Sequence, residues 1–479
     1  MIHGKQYYLD TFNVTENELR TLIEEGMKHG GSFCDLFFEN TSYRDLLLRD
    51  GEVTSGGFHI DYGVGIRVLS GEKTGYAYSE STDIKSMVSA ARAASSITTG
   101  FSVNEERRTS NHRFFGRPNP AADRYPMKND WRTDRSEPQI RAMKSLEQSI
   151  RSKDPRVIKV IAKISSQVTD VLIFNSFEEM KYDTRPLGSI VVSVIFSQNG
   201  VVENKTVSRS FRCGSEMISE GLLEEMSEEA VRGIDERFSA RRPKGGKMPV
   251  VLGAGASGIL LHEAMGHAFE ADFNRKGQSI FSDRLGSRIC PEGITIVDDG
   301  TVKGNRGAVN FDDEGVPGQY TAMVEDGILT SFLHDRISAE FYGVVPTGNG
   351  RRESFRYMPV PRMRTTYMES GEGKTEEIIA SVKKGIFVNE FTNGQVKIGE
   401  GDFTFYVKSG VLIENGKLSM PVKDINIIGN GPQALADIQA VADDLKIDDG
   451  TWTCGKGQSV PVSCGMPTVL VNNLTVGGE

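Results

Sequence analysis

The chain has 479 residues, 38% of them hydrophobic and 25% charged, and a formal net charge of −9. That length leaves room for two or three domains with cores of their own, and the negative charge argues against nucleic acid as a partner, because phosphate binding needs a concentrated basic surface. Five cysteines form no disulfide framework, the start MIHGKQYYLD lacks the basic-then-apolar pattern of a signal peptide, and no stretch is long enough to cross a membrane as a helix, so a cytoplasmic protein without membrane attachment is expected.

Thr15 and Glu18 have the spacing of a capping box, and Leu19, Leu22, Ile23 and Met27 follow on one helical face. Gly30 and Gly31 end that helix. From Phe33 to Tyr78 the pattern is strand-like, with turns expected at Asp50-Gly51, Gly56-Gly57 and Ser70-Gly71. Ile84, Met87, Val88, Ala91 and Ile97 mark a second helix. Residues 100–135 are polar and proline-bearing and read as a linker or surface excursion. A helix with Ile140, Met143, Leu146 and Ile150 on one face comes next, then strands at 157–165, 171–176 and 189–198, then a helix through Leu223, Met226, Ala230 and Ile234. The order helix, strands, helix thus occurs twice.

The basic, Gly/Pro-bearing run at 241–246 is the expected boundary between an N-terminal α+β domain, 1–240, and a C-terminal β-rich domain, 241–479. Beyond it the chain is dense in β-branched and aromatic residues. The fold class expected is α+β, with duplicated helix–strands–helix units in the first half and an antiparallel-rich sheet around one functional helix in the second. His334 is assigned to a surface strand or loop within a region of strands and turns.

That functional helix lies in PVVLGAGASGILLHEAMGHAFEAD, residues 249–272. An apolar strand runs into glycines, then into a helix carrying His262, Glu263 and His267. Two imidazoles and a carboxylate on one apolar element are the ingredients of a metal-dependent hydrolase. The histidines are five apart rather than four. At about 100° per residue they stand roughly 140° out of register on a regular α-helix, so a π-bulge or a helix end near Gly266 is required for both to reach one ion. The GAGASG run at 253–258 lacks the Lys-Ser/Thr of a phosphate loop and is better explained by close helix packing.

The string HEAMGH resembles the signature of the TldD branch of the TldD/PmbA zinc metallopeptidase family. The stretches RKGQSIFSDRLG, DDEGVPGQY, PTGNGRRES, MPVPRM and CGKGQSVPV, and in the first half LLLRDGEV and YGVGIRVLSGEKTGYAY, are similar to that family as well. The resemblance implies one Zn2+ per catalytic subunit on His262, His267 and Cys454, since Cys454 aligns with the family's zinc-ligating cysteine. Glu263 is then the general base and later the general acid. It also implies unfolded or extended polypeptide as substrate, and pairing with a TldE/PmbA-like sister subunit or with a second copy. Cys464 is the competing thiol. Glu270 and Asp272 are candidate partners of the second histidine. Arg351 and Arg352 are candidates to hold a substrate carboxylate or carbonyl, or else to pair internally with Asp312, Asp313 or Glu314. The competing functions are a non-catalytic modulator or binding protein with a structural zinc, and an amidase acting on small molecules.

Overall fold

The computed structural model describes residues 3–96 and 123–478. Two short helices, α1 (Lys5–Phe12) and α2 (Glu16–Met27), open the chain, and α2 carries the complete Thr15–Glu18 capping box. The strands β1 (Phe33–Arg49), β2 (Glu52–Ser70) and β3 (Lys73–Ser79) and the helix α3 (Ile84–Ser96) complete the first unit. Ile97 and most of the 100–135 segment lie outside the described residues. The second unit runs through α4 (Ser136–Lys153), β4 (Val157–Asn175), β5 (Met180–Gln198), β6 (Val201–Phe211) and α5 (Glu220–Val231).

The two units share one antiparallel sheet in the order β3-β2-β1-β4-β5-β6, joined where β1 pairs with β4. Each half has its own core. Tyr8, Phe12, Leu19, Phe38, Ile66 and Met87 fill one, and Met143, Leu146, Val160, Ile190, Phe196 and Met226 fill the other. Two local readings change. Gly56 and Gly57 make no turn; they lie inside β2, opposite Leu46 and Asp45. The separate strands at 157–165 and 171–176 are one strand, because the polar stretch between them stays in the ladder and finds partners, with Asp170 accepting from Thr184 and Arg132.

After the basic run, β7 (Gly246–Leu252) pairs in parallel with Lys384–Val396 and antiparallel with Val469–Gly477. Val469–Gly477 pairs with Ile425–Asn430, that strand with Asp402–Glu414, and Asp402–Glu414 back with Lys384–Val396, so five strands close into a ring. A second sheet contains Ile296–Asp299, Tyr320–Glu325, Thr365–Met368 and Ser463–Met466. Between them lies the largest core, which includes Leu252, Leu260, Met265, Phe269, Phe332, Met363 and Phe403. The chain is therefore α+β, with mostly antiparallel pairing in its second half. Where strands and turns were expected, Arg336–Tyr342 is a helix, capped reciprocally by Asp335 and Ser338.

The halves meet through buried charge. Arg67 of β2 bonds Asp35 on the neighbouring β1 and, at 2.6 Å, Glu314 of the second half. Arg185 of β5 pairs with Asp313 at 2.5 Å. The Phe355 N–H donates to Glu39 of β1.

Candidate metal centre

Gly258–Leu261 forms one α-helical turn directly after β7 and its glycine-rich connection. His262–Gly266 is then a π turn, and His267–Phe269 a 3-10 turn. The irregularity that a five-residue spacing demands is thus present. One extra residue in the π turn brings the two imidazoles to the same side, with ring centroids 5.3 Å apart. Gly266 serves this turn by its size rather than by its freedom. Its φ of −55° is open to any residue, but a Cβ there would run into the buried Met363 sulfur. Gly258 is held by a harder limit, since a Cβ would stand 2.5 Å from the backbone nitrogen of Gly465.

Cys454 arrives from a hairpin, Thr453–Gly455 paired with Ser459–Pro461, in which it faces Val460. Its Sγ lies 3.2 Å from His262 Nε2 and 3.3 Å from His267 Nε2. All three residues are buried, and their donor atoms fall within 4.8 Å of one another. On a tetrahedral zinc, with Zn–S of ~2.3 Å and Zn–N of ~2.1 Å, sulfur and nitrogen would stand roughly 3.5 Å apart. The two sulfur–nitrogen distances lie within a few tenths of an ångström of that value.

The electrostatics favour a deprotonated sulfur. Burial pushes the Cys454 thiol up, but His262 and His267 outweigh burial and bring it down to about 4. Burial also works against a charged His267, yet Glu270 and Cys454 raise it well above the usual imidazole value. Both shifts favour a thiolate facing a protonated imidazole, and metal binding to such a pair releases a proton.

Glu270 fixes His267. Its Oε2 lies 3.0 Å from His267 Nδ1, which leaves Nε2 to face the sulfur. Burial alone would raise the Glu270 carboxyl; Lys456, His267 and Arg362 reverse that and hold it at about 2. Asp272 accepts from Lys456 at 2.6 Å. Glu263 stands at the edge of the cluster, with an oxygen 3.9 Å from His267 Nε2 and a quarter of its side chain exposed.

Two supporting residues escaped the sequence reading. Lys456 bridges Glu270 and Asp272. Arg362, fully buried, donates to the carbonyls of Cys454 and Gln458 and so holds the hairpin in place. Both lie in the family-like strings CGKGQSVPV and MPVPRM, and that is the signal that points to them. Arg351 and Arg352 are not brought to the cluster by any hydrogen bond. Arg351 donates to the carbonyls of Met363 and Pro461, and Arg352 donates to Asp313 through its backbone N–H and to the Asp313 carbonyl through its guanidinium. Cys464 is buried outside the donor set, and burial raises its thiol. His334 is buried rather than at the surface.

Residues 34–98, 130–236 and 245–478 match domain 1, the central domain and the C-terminal domain of the PmbA/TldA metallopeptidases. Over 472 residues the chain is 40% identical to the metalloprotease TldD homolog of Haemophilus influenzae, covering 97% of each. The chain belongs to the PmbA/TldD metallopeptidase family. A metalloprotease of Methanocaldococcus jannaschii is 30% identical over 91% of this chain and 95% of its own length. The PmbA/TldD fold extends to solved structures at lower identity. A putative modulator of a DNA gyrase from Thermotoga maritima superposes with a TM-score of 0.77 at 22% identity, over 97% of this chain and all of the other. TldE from Thermococcus kodakarensis does so with 0.72 at 17%, over 96% of this chain and all of the other. Among the described residues no helix is long and apolar enough to cross a membrane.

Proposed function

We propose that this chain is a zinc-dependent peptidase that cleaves unfolded or extended polypeptides, with His262, His267 and Cys454 holding the ion and Glu263 as the acid–base residue. The observation that carries the reading is the meeting of one thiolate and two imidazoles beside a carboxylate that alone among them retains substantial exposure. When bound, zinc supplies Lewis acidity toward a peptide carbonyl and lowers the pKa of water to about 7. Glu263 takes the proton of the attacking water and returns it to the leaving amine. Glu270 holds His267 in one tautomer through Nδ1, and Lys456 and Arg362 hold Glu270 and the Cys454 hairpin in turn. Among the described residues three protein donors meet, which leaves a position for substrate or water. That favours catalysis over the structural-zinc reading, in which four protein ligands would close the ion off.

The partner proposed is a TldE/PmbA-like sister subunit, or a second copy of this chain. The test is cleavage of a mixture of unstructured peptides by the zinc-loaded protein, alone and with a sister subunit. Cleavage in either arm that disappears in Glu263→Gln, with zinc content retained, supports the reading. Absence of cleavage in both arms removes it.

A further inference from the structure

A second cluster of charge lies where the N-terminal sheet meets the second half of the chain. Arg185 of β5, Arg212 just beyond β6, and Arg351, Arg352 and Arg364 line a cavity of about 70 Å³. None of the donor-set residues is part of its wall. Three carboxylates, on Glu39, Asp313 and Glu353, share it, an excess of two positive charges. All five arginines are at most 9% exposed. Among the described residues Arg185 alone of the five makes ion pairs, with Asp183 and Asp313. Arg212 spends its Nε on the Arg306 carbonyl and Arg364 its Nε on the Gly348 carbonyl, and the terminal nitrogens of both have no hydrogen-bond partner among the described residues.

Carboxylates act on some of these groups from a distance, Asp312, Asp313 and Asp298 on Arg364 and Asp313 on Arg351. Buried guanidiniums without a direct ion pair are nonetheless costly, and a fold that gathers several around one cavity gains by admitting an anion. The space fits a small one. About 70 Å³ is several times the ~10–15 Å³ that one water needs, and too little for a peptide segment. The less buried Tyr43 and Gln167 and the exposed Glu353 mark the way in. Burial weighs against the charge on these groups, and neighbouring arginines add to it. Burial, followed by Arg364 and Arg212, drives the Arg351 guanidinium well below its ordinary value, and burial brings Arg212 down to about 10 against the opposing pull of Tyr125.

We infer that this cavity is a binding site for a small inorganic oxyanion of the phosphate class, held by Arg212, Arg351 and Arg364 at the junction of the two halves. The inference is independent of the peptidase reading, because the ligand is not the substrate and binding is measured without peptide. The experiment is calorimetric titration of the full chain with inorganic phosphate at constant ionic strength, with chloride as the control anion. Saturable binding with a Kd below about 1 mM is expected, and at least a tenfold loss in Arg212→Gln and in Arg364→Gln. Surface Arg20→Gln and the metal-site variant Glu263→Gln should bind as the parent does. Glu353→Gln, at the exposed mouth, threatens folding least and should tighten binding by about threefold or more by removing one repelling charge. No saturable phosphate binding, equal binding by folded Arg212→Gln, or unchanged affinity in Glu353→Gln would each overturn the site.

Discussion

Lys456 Nζ lies 3.0 Å from Glu270 Oε2, the same oxygen that holds His267 Nδ1. One contact thus couples the hairpin that delivers the sulfur to the helical turn that delivers an imidazole. A ligand from a distant loop is useful only if the loop is registered against the other ligands. Lys456 supplies that registration from two residues beyond Cys454.

Lys456→Met is therefore expected to weaken zinc binding by about 10- to 100-fold, the usual effect of removing a residue that orients a ligand. The fold should persist, since the side chain is tied to one network at the edge of the site. Competition against a chromophoric chelator measures it. Parent-like affinity in Lys456→Met would show that the hairpin is registered without the lysine.

Glu263→Gln should keep zinc at parent stoichiometry and lose about 10²- to 10⁴-fold in peptide cleavage, the span that acid–base catalysis by one positioned group accounts for. Metal content by atomic absorption and turnover on the same preparation separate the two effects. Zinc loss together with activity loss would instead make Glu263 a ligand.

His334 gives the molecule an acid limit that is separate from the metal centre. Burial holds its imidazole near 4 against an ordinary 6.5. The unfolded chain takes a proton at pH 6.5 while the folded one does not until pH reaches about 4. The stability contribution is complete above pH 6.5 and is lost as pH falls through that window, at up to about 1.4 kcal/mol per unit. Glu39, Asp312 and Asp335 are raised by burial and act in the opposite sense. The slope should therefore appear in the difference between the parent and His334→Phe, measured by denaturant unfolding of the metal-free chain between pH 7 and 4. An unchanged slope in the variant would assign the acid sensitivity elsewhere.

Arg67 should be the most sensitive residue of the junction between the halves. It is wholly buried between Asp35 and Glu314. Arg67→Met leaves two carboxylates in apolar surroundings and should destabilise by about 3–5 kcal/mol. Adding Asp35→Leu and Glu314→Leu to Arg67→Met should recover much of that, because an apolar trio carries no desolvation penalty. Midpoints of chemical unfolding for the single and triple variants decide it; a triple variant weaker than the single one would mean that the ion pairs stabilise outright.

Much of the site was legible in the order of residues. Histidines five apart cannot share an ion on a regular helix, so an irregular turn followed from geometry alone, and the π turn at His262–Gly266 supplies it. Gly266 falls at the end of that turn, where steric room beside Met363 requires a residue without a side chain. The Thr15 capping box is legible because capping is local and an amphipathic run follows it, whereas the one at Asp335 opens a helix of seven residues within a stretch whose pattern reads as strand. Closure of the strand ring depends on pairings such as Val250 with Val471, which no local pattern encodes. The arginine cavity was out of reach for the same cause, since Arg185, Arg212 and Arg364 become neighbours only when the two halves meet.

The long separation between His262 and Cys454 has a consequence during synthesis. A ribosome must add 192 residues after the first imidazole before the thiol exists, about ten to forty seconds at ordinary elongation rates. During that interval the emerging polypeptide offers a divalent ion two imidazoles at most from this cluster, a weak trap, and no hydrolytic centre near its own unfolded segments. On the proposed peptidase reading, assembly of the active centre is thereby postponed until most of the chain that it could attack has been made.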